Sequence, residues 1–123
     1  MANILIIDDA VFMRKVLRDI LEQEGHKIVG EGENAKEAVE LYKELKPDIV
    51  TLDIIMPEID GVTAVNAIKD IVSLDPSANV LMISAMGQQE MIIECIQAGA
   101  KDFIVKPFQP SNVAASVNRI VNK

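Results

Sequence analysis

Five polar residues stand where short apolar runs stop. Asp8 and Asp9 follow Asn3-Ile4-Leu5-Ile6-Ile7, Asp53 follows Asp48 to Leu52, Ser84 follows Val80 to Ile83, and Lys106 follows Phe103 to Val105. If these runs are parallel strands, their carboxyl ends share one edge, and three carboxylates crowd there. Such carboxylates repel, and at least one pKa rises unless a cation neutralises them. Oxygen-only ligation favours a hard divalent ion, Mg²⁺, and the absence of Cys and His from these segments disfavours zinc. A carboxylate beside Mg²⁺ can attack phosphorus and form an aspartyl phosphate. Catalysis of that transfer is mostly positioning and charge stabilisation, which a lysine ammonium and a hydroxyl can supply. Asp53, central on the edge, is the nucleophile candidate. Asp8 and Asp9, with Asp53, are the metal-ligand candidates, and Lys106 and Ser84 are placed to meet the phosphoryl oxygens.

Each residue also has a plainer reading. Paired acids after a strand often cap the next helix, Asp53 alone could be a loop acid, Ser84 a turn residue and Lys106 a solvated charge. Only their joint placement favours a site. Met56-Pro57 and Asp60-Gly61 read as turn chemistry, and His26, the one histidine, reads as a partly exposed strand residue.

The elements that must hold these groups alternate along the chain. Nearly continuous apolar strands are expected at Asn3–Ile7, Asp48–Leu52, Val80–Ile83 and Phe103–Val105, with a weaker one at Lys27–Gly30. Met13, Val16, Leu17, Ile20 and Leu21 mark one helical face, with Arg14, Lys15, Arg18, Asp19 and Glu22 directed away from it. Ala35, Ala38, Val39, Tyr42 and Leu45 repeat the pattern behind a capping-box-like Asn34 and Glu37. Further helices are expected from about Val62 to Ser73, from about Gln88 to Ala98 with Gly99 as left-handed terminator, and from Pro110 onward. Alternation of this kind implies an α/β, doubly wound, five-stranded parallel sheet between two helical layers. The expected order, 2-1-3-4-5, is taken over from known flavodoxin-like folds; it places ligands at the switch point between strands 1 and 3.

Bulk properties narrow the function. The 123 residues suit one domain, 1–123, and 50% hydrophobic with 25% charged residues is the balance of a folded, soluble chain. No apolar run approaches the roughly 20 residues needed to span a bilayer, and no secretory signal opens the chain, so a cytoplasmic location is expected. A net charge of −7 disfavours nucleic acid as partner. Cys95 stands alone, which excludes an internal disulfide, and its apolar setting reads as a buried thiol.

Over essentially its whole length the chain resembles the response-regulator receiver family. The residues that carry the resemblance are Ile6-Ile7-Asp8-Asp9, Leu52-Asp53-Ile54-Ile55-Met56-Pro57 followed by Asp60-Gly61, Ser84-Ala85, and Lys106-Pro107-Phe108. The resemblance implies that Asp53 is the phosphoacceptor, that Asp8, Asp9 and the backbone carbonyl of Ile55 bind Mg²⁺, and that Lys106 contacts the phosphoryl group. It implies a cis bond before Pro107, and a switch in which the Ser84 hydroxyl moves toward the phosphate while the aromatic at 103 moves inward. Phe103 stands where tyrosine is frequent, so no phenolic hydrogen bond can report the switch. Ile55 and Met86 replace polar groups that orient the hydrolytic water in many relatives, implying slow loss of phosphate without a phosphatase.

Ser84-Ala85-Met86-Gly87-Gln88-Gln89 and the end of the chain soon after the fifth helix are similar to stand-alone chemotaxis regulators of the CheY type. The partners implied are a histidine kinase as phosphodonor, a switch or adaptor protein of the motility apparatus and a phosphatase, with the domain monomeric, membrane-free and a signalling switch rather than an enzyme. Three alternatives stay open at this point: a phosphorelay receiver acting on a phosphotransferase, a metal-dependent hydrolase or nucleotide-binding enzyme, and a binding adaptor with an acidic capping cluster. The hydrolase is disfavoured because the first loop lacks G-x-G-x-x-G and Walker-A glycines, and no second acid stands two residues after Asp53.

Overall fold

The structure, a computed structural model, describes residues 1–122; Lys123, the last residue of the expected 1–123 span, lies outside the described residues. Five strands alternate with five helices: β1 Asn3–Ile7, α1 Val11–Gln23, β2 Lys27–Gly32, α2 Ala35–Leu45, β3 Ile49–Asp53, α3 Ala64–Leu74, β4 Val80–Ala85, α4 Gln89–Ala98, β5 Asp102–Lys106 and α5 Pro110–Val121. All pairings are parallel, in the order β2-β1-β3-β4-β5. The expected flavodoxin-like order is the observed one.

Strand alternation divides the core. Leu5, Ile7, Val50, Leu52 and Met82 pack with Ile68, Ile71, Ile92 and Cys95 on the face covered by α2, α3 and α4. Ile4, Ile6, Ile49, Leu81 and Ile83 pack with Leu17, Leu21, Val113 and Val117 on the face covered by α1 and α5. Each fully buried Leu or Ile contributes about 1.5–3 kcal/mol relative to exposure, so both faces hold the sheet as one slab. Cys95 is buried in this core, which pushes its thiol up to about 11.

The strand ends differ from the expected ones in a way that matters for the site. Parallel ladders form through backbone groups and continue past the apolar run, so β3 includes Asp53, β4 includes Ser84 and Ala85, and β5 includes Lys106. Asp53 and Lys106 are thus the last rungs of their strands and Ser84 the last but one of β4, so they inherit strand rigidity, whereas Asp8 and Asp9 stand in the loop after β1. β2 likewise runs on through Glu31 and Gly32 to pair with Ile6 and Ile7.

Helix ends follow local chemistry. Asn34 accepts from the Glu37 N–H at 2.8 Å, and Glu37 answers on the Glu33 N–H at 2.7 Å, one residue earlier than a reciprocal capping box requires. α3 begins two residues later than expected because Thr63 caps it, forming a complete capping box with Asn66. Gly99 ends α4 with φ +124°, and a Cβ there would lie 2.7 Å from Val72, so both backbone and packing demand glycine.

Two expectations are corrected. His26 is neither in a strand nor partly exposed: it is buried just before β2, with Nδ1 accepting the Ala2 N–H at 3.0 Å. Burial lowers its pKa, the positive N-terminus lowers it further, and Glu24 works the other way. Arg14, expected to point away from the packed face of α1, is buried against the end of β2. Among the described residues no helix is long and apolar enough to cross a membrane.

Candidate functional site

β1 and β3 are neighbours with Ile7 beside Leu52, so their next residues, Asp8 and Asp53, are brought side by side. One oxygen from each of Asp8, Asp9 and Asp53 lies within 4.8 Å of the others. Asp8 and Asp53 are buried, whereas Asp9 is exposed at the mouth of the cluster. Asp53 Oδ1 accepts the Ile55 N–H at 3.0 Å, and Asp53 Oδ2 accepts from Lys106 Nζ at 3.1 Å. Lys106 also lies 3.5 Å from Asp8 Oδ2. The plainer reading of Lys106 as a solvated charge therefore fails.

The electrostatics follow from this crowding. Burial raises the Asp8 pKa; the Ala10 N–H and Lys106 oppose the rise, while Asp53 and Asp9 add to it. For Lys106, burial disfavours the ammonium, but Asp53 and Asp8 outweigh burial and the pKa rises. One half-buried lysine, paired with Asp53 and Asp8, thus stands beside a cluster of three carboxylates, which leaves room for a further cation. The same shortfall shows in hydrogen bonding: Asp8 Oδ2 is buried with no hydrogen-bond partner among the described residues. A buried carboxylate oxygen without a hydrogen bond, met by Lys106 only at 3.5 Å and set beside two other acids, fits a hard cation with oxygen ligands. Asp8 Oδ1 accepts the Ala10 N–H at 2.9 Å but does not cap α1, whose N-cap Ala10 has no side-chain bond.

The remaining expected residues are placed as follows. Ser84 is buried in β4, next to the strand that ends in Asp53, and its Oγ has no partner among the described residues. Ile55 sits in the loop directly after β3, its N–H on Asp53 and its side chain exposed. Phe103 does not join the acids. It is 40% exposed and lines a groove of 630 Å³ with Met86, Ile92, Ile93, Ile96 and Val105. The bond between Lys106 and Pro107 is cis, as the resemblance implied.

One participant was missed. Arg14 donates from Nη1 to the backbone oxygen of Asp8 at 2.5 Å and from Nε to Glu31 Oε1 at 3.0 Å. Its acidic partner lies 17 residues away along the chain, and the helical pattern of α1 alone assigns Arg14 to the solvent side.

Residues 4–118 match the family model described as response regulator receiver domain. The chemotaxis protein CheY of Thermotoga maritima is 58% identical over 118 residues, covering 96% of each chain. CheY of Bacillus subtilis is 56% identical over 120 residues, covering 98% of each. Among solved structures, a CheX–CheY–BeF3–Mg²⁺ complex from Borrelia burgdorferi superposes with a TM-score of 0.87 at 41% identity, covering 98% of this chain and 90% of that one.

Proposed function

Because the chain belongs to the response regulator receiver domain family, we propose that residues 1–123 act as one phosphorylation-activated switch of a chemotaxis two-component system. The observation that carries the proposal is the Lys106 ammonium 3.1 Å from Asp53 Oδ2, inside a three-acid cluster whose Asp8 Oδ2 has no hydrogen-bond donor among the described residues. The carboxylate of Asp53 attacks the phosphorus of a phosphohistidine on a histidine kinase. A P–O bond to Asp53 forms as the P–N bond breaks, and the imidazole leaves with the electron pair.

Before transfer, Lys106 holds Asp53 by charge; afterwards it meets the phosphoryl oxygens as a charge-assisted donor. Asp8, Asp9, Asp53 and the carbonyl of Ile55 would hold Mg²⁺, which supplies neutralisation of the charge that builds on the phosphoryl oxygens. That the Borrelia relative was crystallised with BeF3 and Mg²⁺ supports this assignment. The hydroxyl of Ser84, with no partner among the described residues, turns to the phosphoryl group, and Phe103 moves inward from its half-exposed position. Phosphorylation adds about −1.5 to −2 charge, enough to favour one of two loop arrangements. The altered surface of α4, β5 and α5 is read by a motility-apparatus protein, and a phosphatase assists the reset; the complex of a relative with CheX supports protein partners for this domain.

The test is intact mass after incubation with acetyl phosphate, with and without Mg²⁺. A gain of one phosphoryl group that needs Mg²⁺ and is absent from Asp53→Asn is expected. No gain with a folded sample would remove Asp53 from the role and bring the adaptor reading forward.

A further inference from the structure

Asp8 can be audited atom by atom. Its N–H donates to the Gly32 carbonyl at 3.1 Å, at the end of β2. Its backbone oxygen accepts from Arg14 Nη1 at 2.5 Å. Its Oδ1 accepts from the Ala10 N–H at 2.9 Å. Among the described residues only Oδ2 has no hydrogen bond, and it lies 3.5 Å from Lys106 Nζ, toward the acid cluster. Three of the four polar atoms are therefore tied to the surrounding frame, and the fourth is the one presented to the site. The N–H tie joins backbone to backbone, and the Oδ1 tie joins the Asp8 carboxylate to a backbone N–H two residues on. The tie to the backbone oxygen depends on one side chain from elsewhere in the chain.

That side chain is itself fixed. Arg14 is buried, its Nε bonds Glu31 Oε1 at 3.0 Å, and its Nη2 lies 3.7 Å from Glu33 Oε1. Glu31 is held on its other oxygen by Arg18, at 2.9 Å from Nε. The guanidinium thus spans from the last residues of β2 to the loop after β1, using its planar fork in two directions at once, a geometry that a lysine ammonium on a flexible stem cannot copy.

The geometry points to Arg14, anchored by Glu31, as a positioning residue that locks the Asp8 carbonyl and so aims the Asp8 carboxylate into the cation site. The inference rests on the metal-dependent reading above. It makes a prediction opposite in sign to simple electrostatics. Deleting a positive charge beside an acidic site should by Coulomb's law tighten cation binding. Loss of positioning weakens it instead.

The experiment is an amide NMR titration of the unphosphorylated full chain with Mg²⁺, which reports affinity and folding together. Arg14→Met is expected to weaken Mg²⁺ binding by about tenfold or more, the size typical when a group that orients a metal ligand is lost. Arg14→Lys, which keeps the charge, recovers only part of the loss. Arg18→Met removes the other arginine on Glu31, which makes no contact with Asp8, and is expected to leave the affinity unchanged. Unchanged or tighter binding by folded Arg14→Met overturns the inference, as does equal weakening by Arg18→Met. If Arg14→Met does not fold, Glu31→Gln decides: measurably weaker binding supports the anchor, and unchanged binding removes it. If the unaltered chain shows no Mg²⁺ binding at all, the metal reading itself falls and this inference with it; binding by the unaltered chain that Arg14→Met retains defeats this inference alone.

Discussion

The two ends of the sheet are built from the same strands and satisfy their polar groups differently. At the amino end, Asn3 N–H donates to Asp48 Oδ2 at 2.7 Å, Ala2 N–H to His26 Nδ1 at 3.0 Å, Lys27 N–H to the Ala2 carbonyl at 2.9 Å, and Asn79 Nδ2 to the Asp48 carbonyl at 3.1 Å. Each tie joins segments far apart in the chain. At the carboxyl end, Asp8, Asp9 and Asp53 are pressed together, and Asp8 Oδ2 and Ser84 Oγ are buried without a hydrogen bond among the described residues; at the amino end His26 Nε2 shares that state, but no cluster of acids crowds beside it. One end closes the fold. The other holds groups at a cost in stability that a folded chain tolerates where chemistry needs them.

The contrast is sharpest when the same kind of substitution is made at each end. Asp8→Asn is expected to slow phosphorylation by acetyl phosphate about 100-fold or more, as for loss of a group that orders charge in a phosphoryl-transfer site. It should also melt higher than the unaltered chain in Mg²⁺-free buffer. The sign follows because the folded state raises the Asp8 pKa above its ordinary value, so ionised Asp8 is disfavoured by folding and its removal relieves the fold. Saturating Mg²⁺ should erase that advantage. A lower melting temperature for Asp8→Asn in the absence of metal would break the comparison.

At the opposite end, His26→Leu leaves the buried Ala2 N–H without its acceptor and should cost about 1–3 kcal/mol in urea unfolding, with the phosphorylation rate unaffected. A change in rate would show that the two ends are coupled rather than independent.

Smaller effects refine the picture near the site mouth. Ile55 and Met86 are exposed apolar residues, Met86 at 75%. Ile55→Asn with Met86→Glu is expected to speed spontaneous loss of the phosphoryl group several-fold, read as decay of the phosphorylated mass after the donor is removed. An unchanged decay would mean that positions 55 and 86 do not govern access of water.

The smallest expected effect is a pH slope belonging to the amino end. His26 is held neutral in the fold with a pKa below 6.5 because of burial and the nearby N-terminus, and Nδ1 must be unprotonated to accept the Ala2 N–H. The unfolded chain takes up the proton first as pH falls, so this contribution is complete above about 6.5 and is lost through the window below it. His26→Gln, which keeps an acceptor, should flatten that slope in melting temperature against pH; an unaltered slope would assign it to other groups.

Much of this molecule is legible from the chain alone. Apolar runs ending before Asp8, Asp53, Ser84 and Lys106, alternating with amphipathic segments, are enough for the strands, the helical layers and their shared edge, because strand and helix periods are local properties of sequence; the strand order that seats Asp8 beside Asp53 was taken over from known folds. Asn34, Gly99 and Pro110 announce helix ends for the same reason, since each acts on its own backbone neighbours. What the tertiary structure alone decided is which distant groups share space: Arg14 turned inward to Glu31 and the Asp8 carbonyl, His26 closed beneath Ala2, Phe103 faced outward beside α4 rather than toward the acids, and one oxygen of Asp8 left free. A helical pattern says only that Arg14 is polar. Whether such a residue meets water or a buried partner depends on the path of a chain segment 17 residues away, and no local period carries that information.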